Sequence, residues 1–431
     1  MGVDETLPPG VSLSEAPGGL RVVTEAVDSV RSVTVGLWVR TGSRDEDESQ
    51  AGVSHFLEHL LFKGTDRYSA IEISEVFDGL GASVNAATGK ESTHLYARFL
   101  DEHTEAAFEL LSEMLLGPTY PEIDSEREVV LEEIAMYEDE PQDRVHDVLA
   151  EAVFDGHPLG RRVLGSAEVI ASIPVPAIDT YHRARYVGPN IVVAAAGHLD
   201  HDRILELSQR HLSPAGEGAA PSPNGDPRGA ARLEFYPKDT EQYHVCFGAP
   251  GIARDDERRF ALGVLDSILG GSTSSRLFRE VREKRGLAYS VGTYSEQYVE
   301  SGLVAAYVGT REDNVAEACE IIGRELARLR AEGVDGEELK RAKEHVKGRM
   351  VLGLESTPAR MSRLARAVLY DLELLSVDEL LARVDAVSKQ DVASLAAELW
   401  GAERLSAACI GPEEDRFREA VGPVSEALAA T

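Results

Sequence analysis

Apolar residues fall into two spacings along this chain. At residues 20–24, 32–39 and 191–197 they run nearly unbroken and are rich in Val and small side chains, which predicts buried strands. Elsewhere the spacing changes to three and four. Residues 52–62 place Val53, Phe56, Leu57, Leu60 and Leu61 at helical intervals, with no Pro and no Gly after Gly52. Residues 126–137 form a second helical pattern, preceded by Pro121 and by Asp124 and Ser125 as candidate N-caps. Strand-like runs alternating with long amphipathic helices predict an α+β fold in which helices pack on one face of each sheet.

The same pattern divides the chain. At 431 residues it is too long for one ordinary core. Residues 213–227 are rich in Pro, Gly and small side chains, which is linker composition. A first domain at residues 1–212, a linker at 213–231 and a second domain at 232–431 are therefore expected. The two halves also echo each other, as a duplicated fold would. Residues 51–64 (AGVSHFLEHLLFKG) parallel residues 261–271 (ALGVLDSILGG), each an apolar helix ending at Gly with a Gly-bounded strand further on. In the second copy, apolar residues and Asp266 stand where the first carries His and Glu, so only the first should hold a metal.

His55, Glu58 and His59 interrupt the apolar helix at 52–62. Residues four apart lie on one helix face, so His55 and His59 can reach one ion from the same side, with Glu58 projecting beside it. Zinc favours such nitrogen ligands, and a catalytic zinc usually has three protein ligands and one open position. The order H-x-x-E-H reverses the common H-E-x-x-H and is the inverzincin signature. The second helical pattern offers the third ligand. Glu126, Val129, Val130, Glu133 and Tyr137 share one stripe holding most of the bulky residues, whereas Glu128, Glu132, Ala135 and Asp139 share an acidic stripe suited to solvent. Glu133 is thus the predicted ligand. Glu126, two turns away on the same face, is the predicted partner for the second ring nitrogen of a ligand His.

His55-x-x-Glu58-His59, followed about seventy residues later by Glu126-x-x-x-Val130-x-x-Glu133, resembles the pitrilysin-type inverzincin metallopeptidases. It is most similar to their short bacterial processing-peptidase branch, related to the β subunit of the mitochondrial processing peptidase. The resemblance implies one Zn2+ per chain held by His55, His59 and Glu133, with Glu58 as general base. It implies that residues 82–91, with Asn85 and Ala86, form an edge strand that pairs with the substrate backbone. Residues 282–291 resemble the family's C-terminal clamp, in which Arg282 would hold a substrate carbonyl and Tyr289 would hydrogen-bond the tetrahedral intermediate. Read without the family, this segment is a helix end capped by Gly286 and followed by a strand. Residues 157–161 are also family-like and are expected to be structural.

In that family each half is a mainly antiparallel α+β domain, and the two close as a clam-shell around a chamber. The implied activity is endoproteolysis of short unstructured peptides or presequence-like segments. The alternative is a non-catalytic recognition subunit, which the intact motif disfavours. Because the chain is about half the length of single-chain members, the resemblance implies a dimer: a homodimer is expected, with a heterodimer with a zinc-less paralogue as the alternative.

The net charge of −31 argues against nucleic acid as a partner. An acidic chamber would steer basic peptides inward, whereas surface carboxylates that serve only solubility give the same sum, and both readings stay open. Cys246, Cys319 and Cys409 are widely spaced and form no C-x-x-C pair, so a reduced, cytoplasmic setting fits. Residues 1–9 are acidic and contain Pro, unlike a signal peptide, and no run approaches the ~18 apolar residues of a membrane span. Residues 270–275 lack the Gly-Lys-Ser/Thr ending of a phosphate loop and are expected to break a helix before Arg276.

Overall fold

The computed structural model describes residues 7–430 apart from 217, 223, 226, 228 and 229, and only the backbone of Glu426. Those five internal positions belong to the expected linker, and residues 1–6 to the stretch expected to lack a signal peptide.

The first sheet contains β1 (Val11–Ala16), β2 (Leu20–Ala26), β3 (Ser32–Val39), β4 (Ser83–Thr88), β5 (Thr93–Leu100) and β6 (Ile191–Gly197). They lie in the order β1-β2-β6-β3-β5-β4. The second contains β7 (Leu233–Pro237), β8 (Gln242–Gly251), β9 (Ala288–Gln297), β10 (Gly302–Arg311) and β11 (Ser406–Gly411), in the order β7-β11-β8-β10-β9. Without β1, the two orders match strand for strand. In each sheet one pair is parallel, β2 with β6 and β7 with β11, and the remaining pairs are antiparallel. The duplication visible in residues 51–64 and 261–271 therefore extends to topology. The helices Val53–Leu60 and Arg259–Leu269 occupy matching places, each ahead of an edge strand, β4 or β9.

Why β3 and β6 read as unbroken apolar runs is plain from their burial. Val33, Val35, Leu37 and Val39 pack with Phe56, Leu57, Leu60, Phe108 and Leu111 on one face of the sheet. Trp38, Val192, Ala194 and Ala196 turn to the other face and meet Met361, Leu364, Ala365 and Leu369. Both faces are covered, so alternation along the strand separates two cores rather than core from water. The expected helices on one face are present, and the other face carries the helix Thr357–Leu369, which comes from the second half of the chain.

By compactness the chain does not divide into consecutive halves. One unit comprises residues 1–134, 162–222 and 351–377, and the other 135–161, 223–350 and 378–431. The exchange is reciprocal. The helix Pro141–Phe154 places Val145, Val148, Leu149 and Phe154 against Cys246, Leu303, Ala305, Ala408 and Ile410 of the second sheet. The boundary expected at 213–231 is thus one of several crossings, because each sheet needs an apolar cover that its own half does not supply.

The three cysteines are free and buried. Among the described residues, no helix is long and apolar enough to cross a membrane.

Candidate metal centre

The helix Val53–Leu60 starts at Gly52, whose φ of 95° suits glycine, and a side chain there would meet the carbonyl oxygen of Leu164 at 2.6 Å. Two N–H groups at its start are satisfied from outside: both oxygens of the buried Glu46 accept, one from Gly52 N and one from Ser54 N, each at 2.7 Å. Phe56, Leu57 and Leu60 are fully buried in the first core. At roughly 1.5–3 kcal/mol each, that burial anchors the helix and leaves His55, Glu58 and His59 on its other flank.

The second helix, Ile123–Asp139, begins one to two residues before the N-caps expected at Asp124 and Ser125, so both lie inside its first turn. Its buried stripe is Glu126, Val130 and Ile134. Val129, assigned to the inward stripe by its spacing, is 51% exposed. Successive residues lie 100° apart around a helix, so Val129 and Val130 cannot both face the core squarely. Glu133 sits on the flank of that stripe, with its side chain 43% exposed, and its carboxylate reaches sideways to the histidines. Arg127 secures this helix: its guanidinium lies 5.4 Å from the Phe56 ring centroid and donates to the carbonyl oxygens of Ile170 and Ile173.

The structure brings His55, His59 and Glu133 together. One donor atom from each lies within 4.8 Å of the others, and among the described residues no other group of His, Cys, Asp and Glu does this. Glu133 Oε2 is 3.6 Å from His55 Nε2 and 3.3 Å from His59 Nε2. The two imidazoles stand edge to face, 4.7 Å between centroids. His59 Nδ1 is 2.8 Å from Glu126 Oε1, as expected for that carboxylate, while Lys63 Nζ is 2.6 Å from Glu126 Oε2. His55 Nδ1 is buried and meets no hydrogen-bond partner among the described residues. Burial first, and the neighbouring His59 second, lower the pKa of His55 to about 4, which keeps its imidazole neutral and able to bind a metal. Two nitrogens and one carboxylate oxygen, all aimed at one point, form a donor set that suits zinc.

Glu58 lies beside this point. Burial raises its pKa above the ordinary carboxylate range and nearby Glu133 adds to the rise, while hydrogen bonding from Thr88 and the charge of His59 oppose it. Thr88 ends β4, the edge strand that contains the expected substrate-binding residues. Asn85 is exposed there and Ala86 is turned to the core. The Ala86 N–H donates to the Asn85 side-chain oxygen at 2.9 Å.

The other expected site residues lie in the second unit. Arg282 belongs to the π-helical turn Phe278–Glu283, and Tyr289 is the second residue of β9, which follows Gly286, whose φ is 61°. Arg282 stacks 3.9 Å from the Tyr289 ring centroid and donates to the Tyr289 carbonyl oxygen at 2.9 Å, leaving Tyr289 79% exposed. The stretch at 157–161 forms a short 3-10 turn whose Leu159 is fully buried in the second unit's core. Residues 270–275 follow the helix Arg259–Leu269, with Gly270 at its C-cap.

Sequence reasoning missed Glu46, Lys63, Thr88 and Arg127. Only Lys63 had a local signal, since it follows His59 by four residues and so shares its face. Thr88 and Arg127 act through contacts between segments far apart in the chain, whereas Glu46 reaches the helix start from six and eight residues upstream of its partners.

Residues 21–167 match the model of the insulinase family, peptidase family M16, and residues 172–346 match the M16 peptidase inactive domain. A relative from Streptomyces coelicolor, named an uncharacterised zinc protease, is 44% identical over 93% of this chain and 89% of its own. One of the same description from Bacillus subtilis is 40% identical over 91% of this chain and 96% of its own. The crystal structure of a protease from Helicobacter pylori superposes with a TM-score of 0.88, covering 94% of this chain and 100% of that one at 22% identity, which supports the fold. With both halves matched in order and the likeness spanning nearly the full chain, this protein belongs to the insulinase family of M16 peptidases.

Proposed function

We propose that the chain cleaves internal peptide bonds of short unstructured peptides, with Glu58 as general base. As an M16 peptidase whose His-His-Glu donor set is intact, it is a zinc metallopeptidase. The observation that carries the reading is the convergence of His55, His59 and Glu133 on one point beside Glu58. When bound there, zinc supplies Lewis-acid activation of water and of the scissile carbonyl.

The chain's own residues supply the rest. His55 and His59 present ring nitrogens and Glu133 a carboxylate oxygen. Glu58, steadied by Thr88, takes a proton from the attacking water and delivers it to the leaving amine. The outer edge of β4, at Asn85 and Ala86, pairs with an extended peptide once the Asn85 side chain yields the Ala86 N–H. Arg282 then holds a substrate carbonyl and Tyr289 hydrogen-bonds the tetrahedral intermediate. A homodimer is the proposed working form, and the native mass of the chain expressed alone distinguishes it from a heterodimer with a zinc-less paralogue.

The test is digestion of a mixed library of unstructured peptides by the purified protein, run with a chelator, with zinc restored, and with Glu58→Gln. Chelator-sensitive cleavage that zinc restores and the variant lacks supports the reading. Zinc bound tightly by wild type, with no cleavage of any peptide, would overturn it in favour of a binding subunit.

A further inference from the structure

We infer that Lys63 is a positioning residue of the metal centre: by gripping Glu126 it fixes the His59 ring with Nε2 turned towards Glu133. The inference rests on the zinc reading above.

The helix ends at Leu60, but Leu61 N–H donates to Leu57 O at 3.0 Å, Phe62 N–H to His59 O at 3.2 Å and Lys63 N–H to Leu60 O at 3.1 Å. The helical turn therefore continues, and Lys63 stays on the face of His59. Its ammonium reaches Glu126 Oε2 at 2.6 Å, while Oε1 of the same carboxylate is 2.8 Å from His59 Nδ1. Each carboxylate oxygen thus has one partner. A carboxylate paired with an ammonium only accepts, so the proton of that contact sits on His59 Nδ1 and the Nε2 lone pair is left to face the ligand point.

The two histidines differ in this respect. His55 Nδ1 is buried without a hydrogen-bond partner among the described residues, so on that side only packing orients the ring. The His59 ring depends on two successive contacts that end at Lys63. Glu126 is only 5% exposed, so an unpaired Oε2 would be costly, and the carboxylate would be released to turn away from His59. Charge supports the same role. Three carboxylates, Glu58, Glu126 and Glu133, gather here, and among the described residues Lys63 is the one lysine or arginine that forms an ion pair with any of them. Three negative charges balance one lysine and one divalent ion.

The experiment measures zinc affinity of the full chain by competition with a chelating indicator, for wild type, His59→Ala, Lys63→Met, Lys63→Arg, Glu126→Gln and the Lys63→Met/Glu126→Gln double variant. Thermal unfolding of each metal-free protein reports any purely structural effect. Loss of an outer partner of this kind typically costs about 10–100-fold in metal affinity. Lys63→Met is expected to lose that much, Lys63→Arg to recover most of it, and the double variant to bind no more weakly than Glu126→Gln alone. The visible spectrum of the cobalt-substituted protein should shift in Lys63→Met. Unchanged zinc affinity in Lys63→Met, or losses that simply add in the double variant, overturns the inference, as does a change confined to metal-free unfolding. If Lys63→Met does not fold, Lys63→Gln supplies the same comparison. Wild type that binds no zinc sinks the zinc reading and this inference together, whereas zinc lost in His59→Ala but kept in Lys63→Met sinks only the inference.

Discussion

The hydroxyl oxygens of Thr34 and Thr357 lie 2.8 Å apart, both buried, although 323 positions separate them in the chain. Thr34 is on β3 and Thr357 opens the helix that the second half of the chain lays across the first sheet. One turn further on, Trp38 Nε1 meets Met361 Sδ at 3.2 Å, and Arg21 donates to the Val368 carbonyl oxygen at 2.6 Å. The first unit is therefore incomplete without residues 351–377, and a chain cut at the expected linker would expose Trp38, Val192 and Ala194 on a bare sheet face.

That dependence predicts a large effect far from the metal centre. Met361 is 1% exposed and packs on Trp38. Met361→Ala should destabilise the protein by about 2–5 kcal/mol through the cavity it leaves. Urea unfolding measures this, and a change below about 1 kcal/mol would mean that the helix is only loosely seated.

Glu46 should matter more than a loop carboxylate ordinarily does. Its two oxygens accept from the first turn of the His55–His59 helix at Gly52 and Ser54. Glu46→Ala leaves two buried N–H groups without that acceptor and should cost at least about 2 kcal/mol. Zinc affinity should fall as well, because the helix start that aims His55 is released. Stability lost with zinc affinity intact would show that this cap does not position the ligands.

Replacing the proposed base tests the chemistry apart from the metal. Glu58→Gln keeps the side chain's size and its contact with Thr88 but cannot take a proton. Turnover should fall by about 10²–10⁴-fold, with zinc still bound stoichiometrically. Metal analysis and single-turnover cleavage decide the matter, and a variant that cuts peptides at near wild-type rate would remove Glu58 from that role.

The second copy of the helix carries a prediction about pH. Burial raises the Asp266 pKa to about 6, against a smaller lowering by the Thr293 hydroxyl, which donates to Oδ1 at 2.6 Å, and by Arg349. A carboxyl group whose folded pKa lies above its unfolded value favours folding most below about pH 4, where both states are protonated. That advantage is lost as pH rises through about 6, because the folded state must then hold a desolvated charge. Asp266→Asn retains an acceptor for Thr293 and cannot ionise. It should therefore stabilise the protein by up to ~3 kcal/mol at pH 8, seen as a higher Tm, while changing stability little at pH 4. An equal shift at both pH values would assign the effect to packing.

Much of this protein could be read along the chain because the signals are local. β3 and β6 occupy the residues whose apolar runs predicted them, and β2 extends its predicted run to Ala26. The His55–His59 pair needed only the four-residue period of a helix, and the duplication was visible in residues 51–64 and 261–271 before the two sheets displayed it. On the second helix the same period pointed to Glu133 and Glu126 but misplaced Val129, since three apolar residues in a row, Val129, Val130 and Leu131, do not fix the centre of a face to better than one position.

The tertiary structure decided what depends on distant segments. It chose which helix covers the second face of each sheet, because apolar character alone does not single out Thr357–Leu369 for one or Pro141–Phe154 for the other, and the choice rests on contacts between distant residues such as Thr34 with Thr357 and Trp38 with Met361. It also decided which polar groups meet: Thr88 beside Glu58, and Lys63 with Glu126 behind His59. Helical period tells which side chains share a face and strand period which side of a sheet they take. Neither period contains the distance from one element to the next, and at this centre a hydrogen bond of 2.8 Å between residues 67 positions apart sets the direction of the His59 ring.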